Sequence, residues 1–219
     1  MELDLREPLR YLGVRGEPDP ALYDELSAVA DRLTRRVPPR WLWRVFPVER
    51  GPEGPALAGA GLVLPGEMAG RMLADCGQAA VLACTLGAQF EALLRAEQAR
   101  SMARAAMLDA CGSAWVERGC DGAEEEIAAR FPGLYRTDRF SPGYGDLPLE
   151  LQRDICNLLD APRRLGIQVG DSFLMNPSKS VTAVVGLSER PQPARIRGCG
   201  FCHFRETCEF RKEGKTCGA

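Results

Sequence analysis

The sequence predicts an α+β fold, in which a mixed or antiparallel twisted sheet is flanked by helices and followed by a small Cys-rich tail. Predicted strands are interleaved irregularly with predicted helices, often two in succession, which disfavours a regular parallel βαβ array. Apolar residues make up 45% and charged residues 26% of the 219 residues, as in ordinary folded chains. A polar, Pro-containing linker, Glu189–Arg197, precedes the last four cysteines. We therefore predict two domains, residues 1–190 and 191–219.

The first predicted helix shows how each element is assigned. After an irregular start, Asp19 is a suitable N-cap and Pro20 a suitable first helical residue, and Pro38 ends the apolar period at Val37. Apolar β-favouring runs bounded by Gly and Pro give the strands. The predicted elements that follow are strands Trp41–Val48 and Leu57–Leu64 joined by the loop Arg50–Pro55, a helix Glu67–Asp75, a strand Ala79–Thr85, and helices Phe90–Glu97 and Ala99–Arg118.

The second half begins its regular structure later. The segment Phe140–Pro148 has Pro and Gly at close spacing and no apolar period, so it is predicted as a loop. An amphipathic helix starts at Leu151 and ends near Pro162. Two further strands are predicted at Ile167–Phe173 and Ser180–Leu187.

The charge balance excludes several classes of partner. The net charge is −2, from 28 basic and 30 acidic residues, so no global field attracts nucleic acid or an anionic membrane surface. No stretch approaches the roughly 20 apolar residues of a membrane span, and the acidic start lacks the features of a signal peptide. We expect a cytoplasmic protein with neither nucleic-acid nor membrane partners.

The segment from Arg139 to Tyr144 carries ligand-binding chemistry. A guanidinium grips a carboxylate with two hydrogen bonds, Gly143 lets a ligand approach the main chain, and tyrosine offers stacking area and a hydroxyl. An amino-acid or nucleoside ligand meets those needs. The alternative is a surface turn with a structural tyrosine.

Two ordered motifs carry a resemblance to a known family. Arg139-Phe140-Ser141-Pro142-Gly143-Tyr144 matches an Arg-x-x-x-Gly-Tyr signature, and residues 171–181, Asp-Ser-Phe-Leu-Met-Asn-Pro-Ser-Lys-Ser-Val, match an acidic-Ser-Phe-Ala-Met-x-Pro-x-x-Ser-Val stretch. Together they resemble the activation domain of cobalamin-dependent methionine synthase over about Arg139–Leu187. Asn176 stands where the family has Trp, and Ala183 where it has Gly.

The resemblance implies a function and its partners. Domains of this family bind S-adenosylmethionine (AdoMet) and cap a cobalamin-binding domain, so that oxidised cobalt is reduced and remethylated. By resemblance we expect a free-standing methionine synthase component that acts in trans on the cobalamin of a methionine synthase or other corrinoid protein, with a flavodoxin or ferredoxin as electron donor. The protein would supply orientation while the cofactors supply the reactivity.

The resemblance also implies residue roles. Arg139 would hold the methionine carboxylate, and the main chain of Ser141, Pro142 and Gly143 would approach the ligand. Tyr144 would lie near the methyl group and the corrin, and is the candidate catalytic residue. Ser180, with Val181, would contact the nucleoside. Acidic residues that could bind the ligand amine and ribose are Glu117, Glu124, Glu125, Glu126 and Asp138.

Four cysteines in the tail suggest a metal. Cys199, Cys202, Cys208 and Cys217 could bind an iron–sulfur cluster or a tetrahedral zinc, with His203 as a substitute ligand, or could remain unliganded. An iron–sulfur cluster is favoured over zinc because reduction of oxidised cobalt requires an electron. His203 is the only histidine, so acid–base catalysis by histidine in the main domain is excluded. The remaining five cysteines are predicted to be buried and reduced.

The sequence is also compatible with a second class of function. In that alternative, the chain is a non-catalytic AdoMet-binding or assembly module whose tail is a zinc-stabilised interaction knob. A third interpretation is an unrelated zinc protein with a chance loop match, which would not bind AdoMet.

Overall fold

The computed structural model describes residues 1–192 and, beyond them, residues 196, 206, 212 and 214. Within this part of the chain the helices are α1 Arg6–Tyr11, α2 Pro20–Arg36, α3 Glu67–Met72, α4 Gly87–Gln98, α5 Met102–Arg130, α6 Leu151–Leu158 and α7 Ala161–Leu165. The strands are β1 Arg40–Gly51, β2 Gly54–Leu57, β3 Leu62–Val63, β4 Gln78–Thr85, β5 Tyr135–Arg136, β6 Gln168–Val169, β7 Met175–Asn176 and β8 Ser180–Ser188.

Six of the strands form one sheet of order β3-β2-β1-β4-β8-β5, and β6 pairs with β7 separately. The pairs β1–β2, β2–β3, β5–β8 and β6–β7 are antiparallel. Helices separate many of the strands along the chain. The predicted α+β class with a helix-flanked sheet is therefore confirmed.

The chain divides into two compact units. Unit 1 comprises Met1–Trp43, Leu82–Ile127 and Gln152–Thr182, and unit 2 comprises Arg44–Val81, Ala128–Leu151 and the described residues from Ala183 onward. Each unit has a buried apolar core. Unit 1 buries residues such as Leu26, Leu33, Phe90, Leu108 and Ile127, and unit 2 buries residues such as Leu57, Leu64, Met72, Leu73 and Phe140. The predicted boundary between residues 190 and 191 stays a prediction.

Helix α2 forms as the sequence predicts. The carboxylate of Asp19 accepts the N–H groups of Ala21 and Leu22 at 2.9 and 3.3 Å, which satisfies two donors that a helix start leaves unpaired. Its apolar face is buried at Leu26 and Leu33. The Trp115 indole donates to the Val37 carbonyl at 2.8 Å just after the helix ends, which fixes its C-terminus against α5.

Helix α5 is longer than predicted, ending at Arg130 instead of Arg118. Its last third is rich in carboxylates, which hide the apolar period in the sequence, although Ile127 is completely buried there. Glycine on α5 allows close packing in unit 1, because a Cβ on Gly119 would lie 2.7 Å from the Cys84 sulfur of β4. Helix α5 is therefore largely buried and packs closely against β4.

Two predicted strands are wrong in detail. The run Leu57–Leu64 is interrupted, because Gly59 and Gly61 have φ of +73° and +64° and turn the chain between β2 and β3. The run Ile167–Phe173 contains only β6, which forms a hairpin with β7. In that hairpin the Gly170 N–H donates to the Leu174 carbonyl at 2.9 Å. Local pattern did not reveal either turn.

Short elements were also missed. Helix α1, strand β5 and helix α7 each span six residues or fewer, too few for a periodic signal. Helix α4 starts at Gly87, three residues before the predicted start at Phe90. No helix of the described residues is long and apolar enough to cross a membrane.

Candidate functional site

The candidate ligand loop follows an irregularity at the sheet edge in unit 2. Strand β5 pairs Arg136 with Leu187 of β8, and a single bridge then pairs Phe140 with Val184. Three residues, 137–139, thus lie opposite two, 185–186, so the edge contains a β-bulge with one extra residue. Bulges redirect side chains, and this one contains Arg139.

Thr137 and Gly186 fix the start of the bulge. The Thr137 N–H donates to the Gly186 carbonyl at 3.0 Å, while the Gly186 N–H donates to the Thr137 hydroxyl oxygen at 2.9 Å. The same hydroxyl donates to the Asp138 carbonyl at 3.0 Å. A side chain therefore replaces one ladder acceptor, and Asp138 and Arg139 together lie opposite Val185.

Arg139 is buried, with 8% of its surface exposed. A guanidinium cannot shed its charge, and its planar fork of five N–H donors matches the two oxygens of a carboxylate. Burial strengthens such an interaction because less water competes for the donors. Arg139 is therefore a buried guanidinium in the candidate loop, and its predicted role in binding a carboxylate stays a prediction.

The turn after Phe140 is closed by main-chain hydrogen bonds. Gly143 N–H donates to the Leu147 carbonyl at 2.9 Å, Tyr144 N–H to the Ser141 carbonyl at 3.1 Å, and Leu147 N–H to the Tyr144 carbonyl at 3.0 Å. Phe140 and Leu147 are buried at either end of the turn. The buried ends and the internal bonds hold the turn in one shape.

The outer part of this turn, residues 143–146, is exposed. Gly143 has φ of +86°, a conformation that favours glycine, and a Cβ there would lie 3.2 Å from the Leu149 Cδ1 atom. Tyr144 is 55% exposed. The ring therefore presents stacking surface to solvent, although Pro142 beside it is buried.

The other two predicted ligand residues lie in unit 1. Ser180 is buried, and its hydroxyl donates to the Pro177 carbonyl at 2.7 Å and lies 2.8 Å from the Thr85 hydroxyl. Thr85 in turn accepts the N–H of Gly87 at the start of α4. These contacts fix a turn. Val181 is partly exposed, and the roles predicted for both residues toward a nucleoside stay predictions.

Lys179 in the second motif has a role that the sequence did not reveal. Its ammonium group is 2.9 Å from the Asp109 carboxylate and donates to the Ser113 hydroxyl at 2.8 Å. Both partners are on α5, within unit 1. Because the chain has three lysines among 28 basic residues, an isolated lysine inside a matching motif was the available signal.

The acidic candidates are divided between the units. Glu117 and Glu124 to Glu126 are on α5 in unit 1, where Glu126 accepts the Trp43 indole N–H at 3.2 Å and Glu125 is 3.0 Å from Arg118. Asp138 is in unit 2, and its carboxylate accepts the Ile196 N–H at 3.1 Å. Asp138 is thus the acidic candidate next to Arg139.

The predicted metal ligands Cys199, Cys202, Cys208 and Cys217, with His203, lie outside the described residues. The described residues contain no group of three or more His, Cys, Asp or Glu that could hold a metal. Cys76, Cys84, Cys111, Cys120 and Cys156 are free and buried, as predicted. Burial raises the pKa of Cys111 to about 12 and the pKa of Cys76 and Cys156 to about 11, so these thiols stay protonated.

Asp146, which was not predicted from the sequence, contacts a part of unit 2 that is far away in sequence. Its carboxylate accepts the N–H of Glu67 at 2.5 Å and of Met68 at 3.1 Å, at the start of α3. These two hydrogen bonds lower the pKa of Asp146, the Met68 bond having the larger effect. The only sequence signal was an aspartate two residues after the tyrosine of the motif.

Comparisons with known proteins agree with this description. Residues 121–193 match the family described as vitamin B12 dependent methionine synthase, activation domain. The fold is similar to that of a crystal structure of the MetH reactivation domain bound to AdoHcy, with a TM-score of 0.69 and 17% identity, over 98% of this chain and 82% of that one. Comparison with curated proteins gives no significant match. The resemblance to the activation domain of cobalamin-dependent methionine synthase is therefore confirmed, in sequence over residues 121–193 and in fold over nearly the whole chain.

Proposed function

We propose that this chain binds AdoMet through the loop Arg139–Tyr144 and presents its methyl group to a cobalamin carried by another protein. The observation that carries the proposal is the loop itself: a buried guanidinium beside an exposed glycine and tyrosine, inside the segment that matches the activation-domain family. The MetH reactivation domain of similar fold was crystallised bound to AdoHcy, which is AdoMet without its transferable methyl group.

Each residue of the loop has a distinct task in this proposal. Arg139 binds the ligand carboxylate, because a bidentate guanidinium fixes direction as well as charge. Gly143 keeps the main chain accessible to the ligand. Tyr144 lies beside the sulfonium, where an electron-rich ring attracts the positive charge of a ligand cation. These contacts hold the methyl group on the exposed side of the loop.

The main contribution of the chain to the reaction is the orientation of the methyl donor and its acceptor. A sulfonium is already an activated methyl donor, and a reduced cobalamin on the partner supplies the nucleophile once an external donor has supplied an electron. The chain brings donor and acceptor into line and excludes water, which replaces a bimolecular encounter with a bound geometry. No proton transfer is required, consistent with a main domain that lacks histidine.

The tail has a separate place in the proposal. We propose that Cys199, Cys202, Cys208 and Cys217 bind an iron–sulfur cluster that passes the electron toward the partner. Its support is the donor set of four cysteine thiolates and the electron that reduction of the partner's cobalt requires. Absorption of the protein as isolated tests the cluster, because iron–sulfur proteins absorb broadly at about 400 nm and zinc proteins do not.

Two measurements test the AdoMet proposal. Calorimetric titration with AdoMet and AdoHcy should show saturable binding of both, and absence of binding would reject it. The purified protein is then mixed with a cob(II)alamin-loaded methionine synthase lacking an activation domain, a flavodoxin or ferredoxin with its reductant, and methyl-labelled AdoMet. Labelled methylcobalamin is the expected product. Binding without transfer, in a colourless zinc-containing protein, would indicate the non-catalytic assembly module instead.

A further inference from the structure

The turn that contains Tyr144 is joined to the start of helix α3 through one carboxylate, two residues after the end of the ligand loop. The Asp146 oxygens accept both N–H groups at the start of α3, from Glu67 and Met68, across a sequence separation of 79 and 78 residues. Anionic acceptors of two main-chain N–H groups form stronger hydrogen bonds than neutral acceptors. We call this contact the Asp146 latch.

Glycine lies on each side of the latch, in a conformation that disfavours other residues. A Cβ on Gly66 would lie 2.7 Å from the Asp146 Cγ atom, and Gly66 has φ of +100°. A Cβ on Gly145 would lie 3.1 Å from the Met68 sulfur, and Gly145 has φ of +56°. The absence of a Cβ at Gly66 and Gly145 thus leaves room for the Asp146 carboxylate and the Met68 side chain where the two segments meet.

We propose that Asp146 is a positioning residue that holds Tyr144 in the orientation required for binding AdoMet. This inference rests on the proposed function of the loop. The ends of the turn are buried at Phe140 and Leu147, and main-chain hydrogen bonds close it, but the outer residues 143–146 are exposed and lie outside the core. The Asp146 latch adds a restraint from a second element, two residues after the ring that it positions.

If Asp146 only capped helix α3, it would make the same hydrogen bonds without any effect on the ligand. A helix cap and a residue that positions Tyr144 differ in how Asp146→Asn and Tyr144→Ala combine. Asparagine is close in size but is uncharged, and it has one acceptor oxygen where aspartate has two, so it cannot keep one N–H group on each oxygen as Asp146 does. If Asp146 acts through Tyr144, Asp146→Asn weakens AdoMet binding roughly fivefold in the wild-type background and has no effect in Tyr144→Ala.

The test measures AdoMet affinity of the full chain by calorimetry for both single variants and the double variant. Glu150→Gln is the matched control, since it removes an exposed carboxylate from the same segment outside the loop, and its affinity should equal that of the wild type. Equal losses from Asp146→Asn in both backgrounds would reject a positioning role. Asp146→Glu, which keeps the charge, should recover more affinity than Asp146→Asn.

Hydrogen exchange tests the latch independently of AdoMet. In Asp146→Asn the amides of Glu67, Met68 and Tyr144 should exchange about tenfold faster, while amides of α5 remain unchanged. Gly66→Ala displaces the same carboxylate from the other side, and should produce the same pattern in any protein that remains folded. Unchanged exchange at Tyr144 in Asp146→Asn would overturn the inference. If the wild type fails to bind AdoMet, the proposed function fails, whereas the exchange result still decides whether Asp146 restrains the loop.

Discussion

The hydroxyl group of Thr137 accepts the main-chain N–H of Gly186 at 2.9 Å, in place of a backbone carbonyl. This contact lies at the start of the bulge that contains Arg139, and it leaves the extra residue between Thr137 and Phe140. The geometry of a proposed ligand-binding side chain therefore depends on a threonine that is itself buried and does not belong to the family motif.

Thr137→Val should destabilise the protein and weaken AdoMet binding. Valine has nearly the same shape but leaves the Gly186 N–H without its acceptor, at a cost of about 1–3 kcal/mol for a buried donor. The free energy of unfolding is measured in urea, and AdoMet affinity by calorimetry. Thr137→Ser is the matched control, because it keeps the hydroxyl, and should retain most of both quantities. A loss from Thr137→Val no larger than the loss from Thr137→Ser would contradict the importance of the hydrogen bond.

Arg139→Ala should weaken AdoMet binding by about 1.5–3 kcal/mol, the range for a hydrogen bond to a charged group. Arg136→Ala removes an exposed arginine from the same edge of unit 2 and is the control for a general charge effect. Calorimetric titration of both variants makes the comparison. Equal affinity of Arg139→Ala and the wild type would exclude the proposed carboxylate grip.

The ligand loop was predictable from the sequence because its chemistry is local. Arg139, Gly143 and Tyr144 lie within six residues, and Pro and Gly between them exclude a helix or strand. The bulge was not predictable, because it depends on how residues 135–140 pair with β8, more than forty residues later. The Asp146 latch likewise depends on a partner 79 residues away. Local pattern identified the residues, and tertiary pairing determined their orientation.

Helix boundaries were likewise predictable where they depend on neighbouring residues, and were missed where they depend on tertiary packing. Asp19 and Pro20 marked the start of α2 correctly, since capping is a property of neighbouring residues. The charged end of α5 was missed because its buried residues, such as Ile127, are separated by carboxylates whose exposure only the folded chain reveals.

A buried carboxylate in unit 1 makes stability depend on pH. Glu97 is hydrogen-bonded to Arg32 and is 3.4 Å from Arg104, which also contacts Glu25 at 3.3 Å. Burial alone would raise the pKa of Glu97, but the bonds and charges of the two arginines outweigh it, so the pKa lies below its ordinary value. Unfolded, the group has a pKa of about 4.3.

Because the folded pKa of Glu97 is the lower one, this contribution is fully present above the unfolded pKa and is lost as pH falls through the folded pKa. Glu97→Gln should cost about 3 kcal/mol at pH 7, since it leaves two arginines beside an uncharged group. Urea unfolding from pH 7 to pH 3 should show a smaller loss of stability with falling pH in the variant. Asp31→Asn, which removes an exposed ion pair with Arg35, is the control and should cost less than about 1 kcal/mol. Parallel pH profiles of Glu97→Gln and wild type would contradict the assignment.

Gly186→Ala should destabilise unit 2 through a defined steric conflict. A Cβ on Gly186 would lie 2.5 Å from the Cys76 sulfur, 2.8 Å from the Leu73 Cδ2 atom and 2.9 Å from the Thr137 Cγ2 atom. Inserting a methyl group into such a site costs typically about 1–3 kcal/mol. Because Thr137 borders the bulge, AdoMet affinity should fall as well, and both quantities are measured as for Thr137→Val.

Cys76→Ala provides a rescue that tests the contact with the Cys76 sulfur directly. Removing the sulfur opens the closest of the three contacts, so the double variant should be less destabilised than the sum of the two single variants. The coupling free energy, obtained from urea unfolding of all four proteins, should favour the double variant by about 1 kcal/mol. Simple additivity would mean that the Cys76 sulfur does not limit this position and that the contacts with Leu73 and Thr137 account for the loss.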